Sequence, residues 1–279
     1  MRLVLFTCIF LLTLAAACGS GASRKAYSPP THSKASLIVG QSAFQPGAHT
    51  DLGIQFVTEN GWHIYWQNPG DSGEPPRIQW QLPAGVTVGA LQWPAPKRLK
   101  TTAGTDYGYE GTTILLSTLQ LPPTVQPGTT IEVSGDLRWL ACHDICVPQR
   151  SQLHIPIRIA KNASADGAAQ LLLQTAAERI PKPLPRRYHP AVTSTSDTIQ
   201  LTLASTEPIR QAEFFSGEAE QIDDNAPQTL TSSAGGLRLT LKKSENIQHN
   251  PKRLKGVIVL NGRDPYDLDA PVHSATTHK

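Results

Sequence analysis

What this chain lacks narrows it first. After the N-terminal leader, no stretch of its 279 residues approaches the ~20 consecutive apolar residues that a membrane-crossing helix requires. Neither sign of charge is in excess, since 25 Lys and Arg face 22 Asp and Glu for a net +3. With no basic stripe interleaved with aromatics, nucleic acid is excluded as a partner. Cysteine is scarce, four in all, and long amphipathic helical runs are nearly absent. Proline (23) and glycine (21) are plentiful, and the mean hydropathy is -0.25. That composition favours short strands joined by turns in one or two soluble domains.

Residues 1–18 read as a targeting segment. Arg2 supplies a minimal positive start, and Leu3 to Leu14 is an apolar run too short to remain as a span. It ends Leu14-Ala15-Ala16-Ala17-Cys18-Gly19-Ser20. Small residues directly before a cysteine resemble a bacterial lipobox, in which Cys18 is lipidated and becomes the first mature residue. The alternative is cleavage after an Ala-x-Ala site, which leaves Cys18 as a free thiol. The lipoprotein reading is favoured, because an exposed unpaired thiol is a liability in an oxidising compartment. Ser20 after Gly19 fits an outer-membrane lipoprotein better than an inner-membrane one. Residues 19–34, small and polar, form a flexible tether in this reading.

From 35 to about 160 the signals are all β. Ser36-Leu37-Ile38-Val39, Thr50 to Val57, Trp62-His63-Ile64-Tyr65-Trp66, Ile78 to Leu82, Thr112 to Ser117, Thr130 to Leu140 and Ser151 to Ile157 alternate or run apolar between turns. Such spacing predicts an immunoglobulin-like β-sandwich. Residues 161–188 carry the one good helical stretch, with Ser164 or Asp166 as N-cap, before Pro181, Pro183 and Pro185 stop it. They are expected to be a linker. A second small β domain is expected over 189–279, from runs such as Thr198 to Leu203, Leu237 to Leu241 and Gly256 to Leu260. The fold class is therefore all-β.

Cys8 leaves with the leader and Cys18 takes lipid, so Cys142 and Cys146 remain as a pair. Three residues, His143, Asp144 and Ile145, separate them, a spacing that a tight turn between strands can bridge with a disulfide. A loop this small contributes only about 2 kcal/mol to stability, so the pair reads as an easily opened redox bridge rather than a staple. A metal site is the rival, with both thiolates and His143 holding copper(I) or zinc. No second Cys/His pair accompanies it, so the disulfide is favoured, with no metal and no cofactor expected.

Several ordered motifs carry a family resemblance. Gly61-Trp62-His63-Ile64-Tyr65-Trp66-Gln67-Asn68-Pro69-Gly70-Asp71-Ser72-Gly73, then Trp93-Pro94-Ala95-Pro96, Tyr107-Gly108-Tyr109-Glu110-Gly111 and Trp139 to Pro148 resemble the N-terminal periplasmic domain of the DsbD membrane reductases. The resemblance is greatest to the ScsB-like variant linked to copper tolerance. It covers about 35–158, with a looser similarity over 190–272. It implies a sandwich whose catalytic Cys142 and Cys146 relay electrons from a membrane-embedded thiol reductase or thioredoxin-like donor to periplasmic disulfide-containing clients. It also implies a cap loop over the disulfide at Asp106, Tyr107, Gly108, Tyr109 and Glu110, and an aromatic surround of Trp62, Tyr65 and Trp66. By the same analogy, Cys142 engages partners first. Full-length members continue into a membrane domain and a thioredoxin domain that this sequence does not contain, so a separate donor is expected. Two other functions stay open: a lipid-anchored binding module with a structural disulfide, and a copper-handling protein.

Overall fold

Alternation of apolar and polar side chains turns the first half of the chain into paired strands, because successive strand residues face opposite sides. The computed structural model describes residues 31–233 and 235–274; Cys8, Cys18 and the predicted leader lie outside them. The strands are β1 (Ser33–Val39), β2 (Gln41–Ala43), β3 (His49–Thr58), β4 (His63–Gly70), β5 (Arg77–Gln81), β6 (Thr87–Val88), β7 (Lys97–Thr101), β8 (Gly104–Glu110), β9 (Thr112–Gln120), β10 (Thr130–Cys142) and β11 (Cys146–Arg158). One sheet has the order β1-β3-β9-β6, and the other β11-β10-β4-β8-β7 with β5 beside β10. Their inner faces share a core that includes Ile54, Phe56 and Leu115 from the first sheet and Trp66, Val133 and Trp139 from the second. This is the expected β-sandwich.

The helix does more than link. After β12 (Ser164–Ala165), α1 (Gly167–Glu178) starts where the Asp166 side chain accepts a hydrogen bond from the Ala169 amide at 3.2 Å. Its Leu173 and Ala176 pack on Ile114 and Leu116, covering the outer face of the first sheet. Gly53 makes that docking possible. A Cβ there would lie 2.7–2.9 Å from Ile38, Leu173 and Ile114 side chains.

The remaining strands are β13 (Lys182–Pro183), β14 (Ala191–Ser194), β15 (Thr198–Ala204), β16 (Ala212–Ser216), β17 (Thr229–Ser233), β18 (Gly236–Lys242), β19 (Arg253–Leu260) and β20 (Asp264–Ser274). β13 pairs with β20, and the others pair in the order β16-β19-β20-β14-β15-β18-β17 around a core that includes Val192, Leu201, Leu239 and Ile258. Two of their side chains, Phe215 and Val257, belong instead to the first core, beside Trp66 and Tyr107. The second β body thus packs directly on the strands that carry the cysteines' neighbours.

Candidate redox site

β10 and β11 form one long hairpin whose register sets Cys142 opposite Cys146, with His143, Asp144 and Ile145 as its turn. The two sulfurs are bonded, and the His143 amide donates to the Ile145 carbonyl at 3.1 Å across the turn. The hairpin's place in its sheet makes the two cysteines unequal. Cys142 lies between β11 and His63 of β4 and is only 1% exposed. Cys146 opens the outermost strand and is exposed, beside an Ile145 that is 66% exposed. Cys142, the cysteine that the resemblance implies engages partners first, is thus the more covered of the two. Cys142 lies on an interior strand, whereas Cys146 begins the edge strand.

A polar network lies under Cys146. The Tyr65 hydroxyl on β4 is 3.5 Å from the Cys146 Sγ, 3.4 Å from Asp106 Oδ2 and 3.5 Å from Ser72 Oγ. Ser72 donates to Asp106 Oδ1 at 2.8 Å, so toward Tyr65 it can only accept. The phenol has one proton for these acceptors. Its pKa is pushed up to about 12, chiefly by burial, so at neutral pH it is a donor and not a phenolate. His63 Nε2 lies 3.4 Å from Asp106 Oδ2 but makes no hydrogen bond among the described residues. Gly73, with φ +82°, closes over this network; a Cβ there would lie 2.1 Å from the Tyr65 ring.

The residues expected to form a cap loop, Asp106, Tyr107, Gly108, Tyr109 and Glu110, lie in strand β8, which pairs with β4 and β7. Gly108 supplies no hinge. Its Cβ position would sit 2.3 Å from the Ile64 carbonyl oxygen, so glycine lets two backbones meet. Alternation then separates the roles. Asp106 faces the disulfide network, while Tyr107 and Tyr109 turn into the protein, donating to Asp224 Oδ1 and to the Pro94 carbonyl, each at 2.7 Å. Glu110 is exposed near Lys97 Nζ, 3.3 Å away.

The aromatic surround also divides. Tyr65 touches Cys146, but Trp66 points the other way into the core, with its ring 6.1 Å from that of Tyr107. Trp62 stacks on His32 at 3.6 Å and reaches the His143 ring at 6.0 Å. In the sequence His63 reads as part of an aromatic strand, and Asp71, Ser72 and Gly73 as part of the turn that follows it. An acid-hydroxyl-glycine run next to an aromatic strand is the signal that marks them. A pocket of about 470 Å³ flanks the turn, lined by Gly61, His63, Lys100, Thr102, Glu110 and His143 among others. Among the described residues, no three His, Cys, Asp or Glu side chains converge as a metal site, and no helix is long and apolar enough to cross a membrane.

Comparison with known proteins agrees with this geometry. Residues 34–157 match the family model described as the N-terminal part of the thiol:disulfide interchange protein DsbD. The crystal structure of the N-terminal periplasmic domain of ScsB from Proteus mirabilis superposes with a TM-score of 0.68 at 15% identity, over 89% of this chain and 97% of that one. That likeness establishes the fold. A chimeric titin Z1Z2 carrying a decorin peptide (9% identity, 87% of this chain and 96% of that one) and the periplasmic chaperone SfaE (6%, 86% and 100%) reach TM-scores of only 0.21. No curated protein sequence matches significantly. Around its cysteine hairpin, this chain is therefore similar to the N-terminal part of DsbD over residues 34–157, and it shares its fold with the ScsB domain.

Proposed function

We propose that this chain is a periplasmic thiol–disulfide exchange protein whose Cys142–Cys146 pair passes reducing equivalents between a donor and disulfide-containing clients. The observation that carries the reading is the asymmetry of the pair: Cys146 is an exposed residue on the edge strand, while Cys142 is 1% exposed. A donor thiolate attacks the Cys146 sulfur, the S–S bond breaks, and Cys142 leaves as a thiolate that takes up a proton. The donor's second thiol closes its own disulfide and releases Cys146. Two electrons and two protons have then moved onto the pair. In discharge, the Cys146 thiolate attacks a client disulfide and Cys142 resolves the mixed disulfide. The neutral Tyr65 phenol, 3.5 Å away, is placed to donate to the Cys146 thiolate while it waits. A membrane-embedded reductase or a thioredoxin-like protein suits the donor's role. Lipidation of Cys18 would hold the domain at a periplasmic membrane, the outer one by the residues after the cysteine.

Mixed-disulfide trapping tests the reading. Cys142→Ser should accumulate adducts through Cys146, and Cys146→Ser should accumulate none. Adducts only through Cys142 would overturn the assignment of the attacking sulfur. No adduct with either variant, together with a reduction potential below about -300 mV, would leave a structural bridge on a binding module.

A further inference from the structure

The second β body reaches the redox site through one turn. Asp224, Asn225 and Ala226 lie against the β7–β8 hairpin, and four of its polar side chains meet them. Arg98 donates to the Asp224 carbonyl and, at 3.1 Å, to that of Ala226. Lys100 Nζ and Thr105 Oγ1 donate to Asn225 Oδ1 at 2.8 and 3.0 Å, and Lys100 Nζ also reaches the Asn225 carbonyl at 3.3 Å. Tyr107 donates to Asp224 Oδ1 at 2.7 Å in a buried contact. The turn is braced from behind, since Asp223 accepts from the Asn225 and Ala226 amides and from Lys242 Nζ of β18 at 2.9 Å. It therefore moves with the second body's sheet.

This grip falls on the least supported part of the first body. β7 ends its sheet, so within the sandwich only β8 pairs with it. β8 carries adjacent residues with opposite tasks, Tyr107 held by Asp224 and Asp106 holding Tyr65 and Ser72 beneath Cys146. Neighbouring Cα atoms are ~3.8 Å apart, so β8 cannot shift at Tyr107 without shifting Asp106. We infer that the Asp224–Ala226 turn is a latch through which the second β body sets the position of β8 and thereby the reactivity of Cys146, with Asp224 as its positioning residue. The inference rests on the exchange reading of the cysteine pair.

The test is the second-order rate at which dithiothreitol opens the disulfide of the full chain, with the reduction potential measured alongside. Tyr107→Phe and Asp224→Ala should each raise the rate about threefold or more and shift the potential, as expected where a coupling contact is cut. The double variant should do no more than either single one. Asp224→Asn keeps an oxygen acceptor for Tyr107 and should restore a rate near that of the parent. Should Asp224→Ala fail to fold, Tyr107→Phe and Lys100→Met, which each remove one polar group, carry the test. Rates and potentials matching the parent in folded Tyr107→Phe and Lys100→Met proteins would overturn the latch. Because dithiothreitol needs no partner, that result is separable from failure of the exchange reading, which shows as absent mixed disulfides.

Discussion

The two β bodies differ most in what they do with buried polar groups. In the second, the buried Lys243 donates to the Thr195 carbonyl and to Asn250 Oδ1, each at 2.6 Å, and Gln221 donates to the Arg253 carbonyl at 3.0 Å. These groups are satisfied and hold turns in place. The first body instead leaves His63 Nε2 and Trp66 Nε1 without hydrogen bonds, and gathers His63, Asp106 and Tyr65 beneath a sulfur. Burying polar groups incompletely paired costs stability. The first body bears that cost partly at His63, beside the disulfide network, and partly at Trp66 in its core; on the exchange reading it is the working half and the second body its support. Asp224 is the exception in the second body, buried where it meets Tyr107 of the first.

The sharpest way to break this comparison is to cut the apolar contact between the halves. Phe215 is 1% exposed, with its ring 5.2 Å from that of Tyr107 and 6.4 Å from that of Trp66. Phe215→Ala should cost about 3–5 kcal/mol, read from denaturant midpoints. If support and working half are one cooperative structure, a single transition shifts as a whole. Two separated transitions, with the first sandwich unmoved, would show that the halves are merely adjacent.

The next effect is a pH dependence lodged at the seam. The Asp224 carboxyl is pushed up to about 6, first by burial and then by Asp71, against the opposing hydrogen bond from Tyr107 and the charge of Arg98; Asp223 raises it further. An unfolded aspartate titrates near ~3.9, so between these values the folded chain holds a proton that the unfolded chain has released. Stability from this group is complete below about pH 4, falls as the pH rises through about 6, and is flat beyond. The full swing is at most roughly 3 kcal/mol. Asp224→Asn should flatten the dependence of the urea midpoint between about pH 4 and 6. An unchanged slope would place the charge elsewhere.

Much of this was legible in the sequence. Alternation in β3 and β9–β11, the Asp166 cap and the cysteine pair follow from local rules, and local rules hold where a strand buries one face. The β7–β8 hairpin was not. Lys97-Arg98-Leu99-Lys100-Thr101 is too polar to read as a strand, because its partners come from a turn more than a hundred residues later. Tyr107-Gly108-Tyr109 read as a hinged lid because a glycine that lets two backbones touch looks, in sequence, like one that lets them bend. The inequality of Cys142 and Cys146 was also hidden, since it depends on which strand ends the sheet.

Smaller effects sharpen the site itself. In a Cys142→Ser background only Cys146 titrates as a thiol among the described cysteines. Tyr65→Phe there removes the hydroxyl 3.5 Å from its sulfur, and a hydrogen bond to a charged acceptor contributes about 1.5–3 kcal/mol. The Cys146 thiol pKa should rise by about one unit or more, followed by ultraviolet thiolate absorbance against pH. No change would mean that the Tyr65 proton belongs to Asp106 in both redox states.

The smallest effect belongs to the turn between the sulfurs. His143 Nδ1 and Asp144 Oδ2 are 2.9 Å apart, but their side chains are 46% and 83% exposed. A solvated pair of this kind contributes about 0–1 kcal/mol. Asp144→Asn and His143→Ala should therefore leave the melting temperature nearly unchanged and alter the dithiothreitol rate by less than about twofold. A tenfold change from either would move control of Cys146 from the buried network of Tyr65, Asp106 and Ser72 to the exposed turn. The contrast between a polar working half and a satisfied supporting half would then rest on the wrong residues.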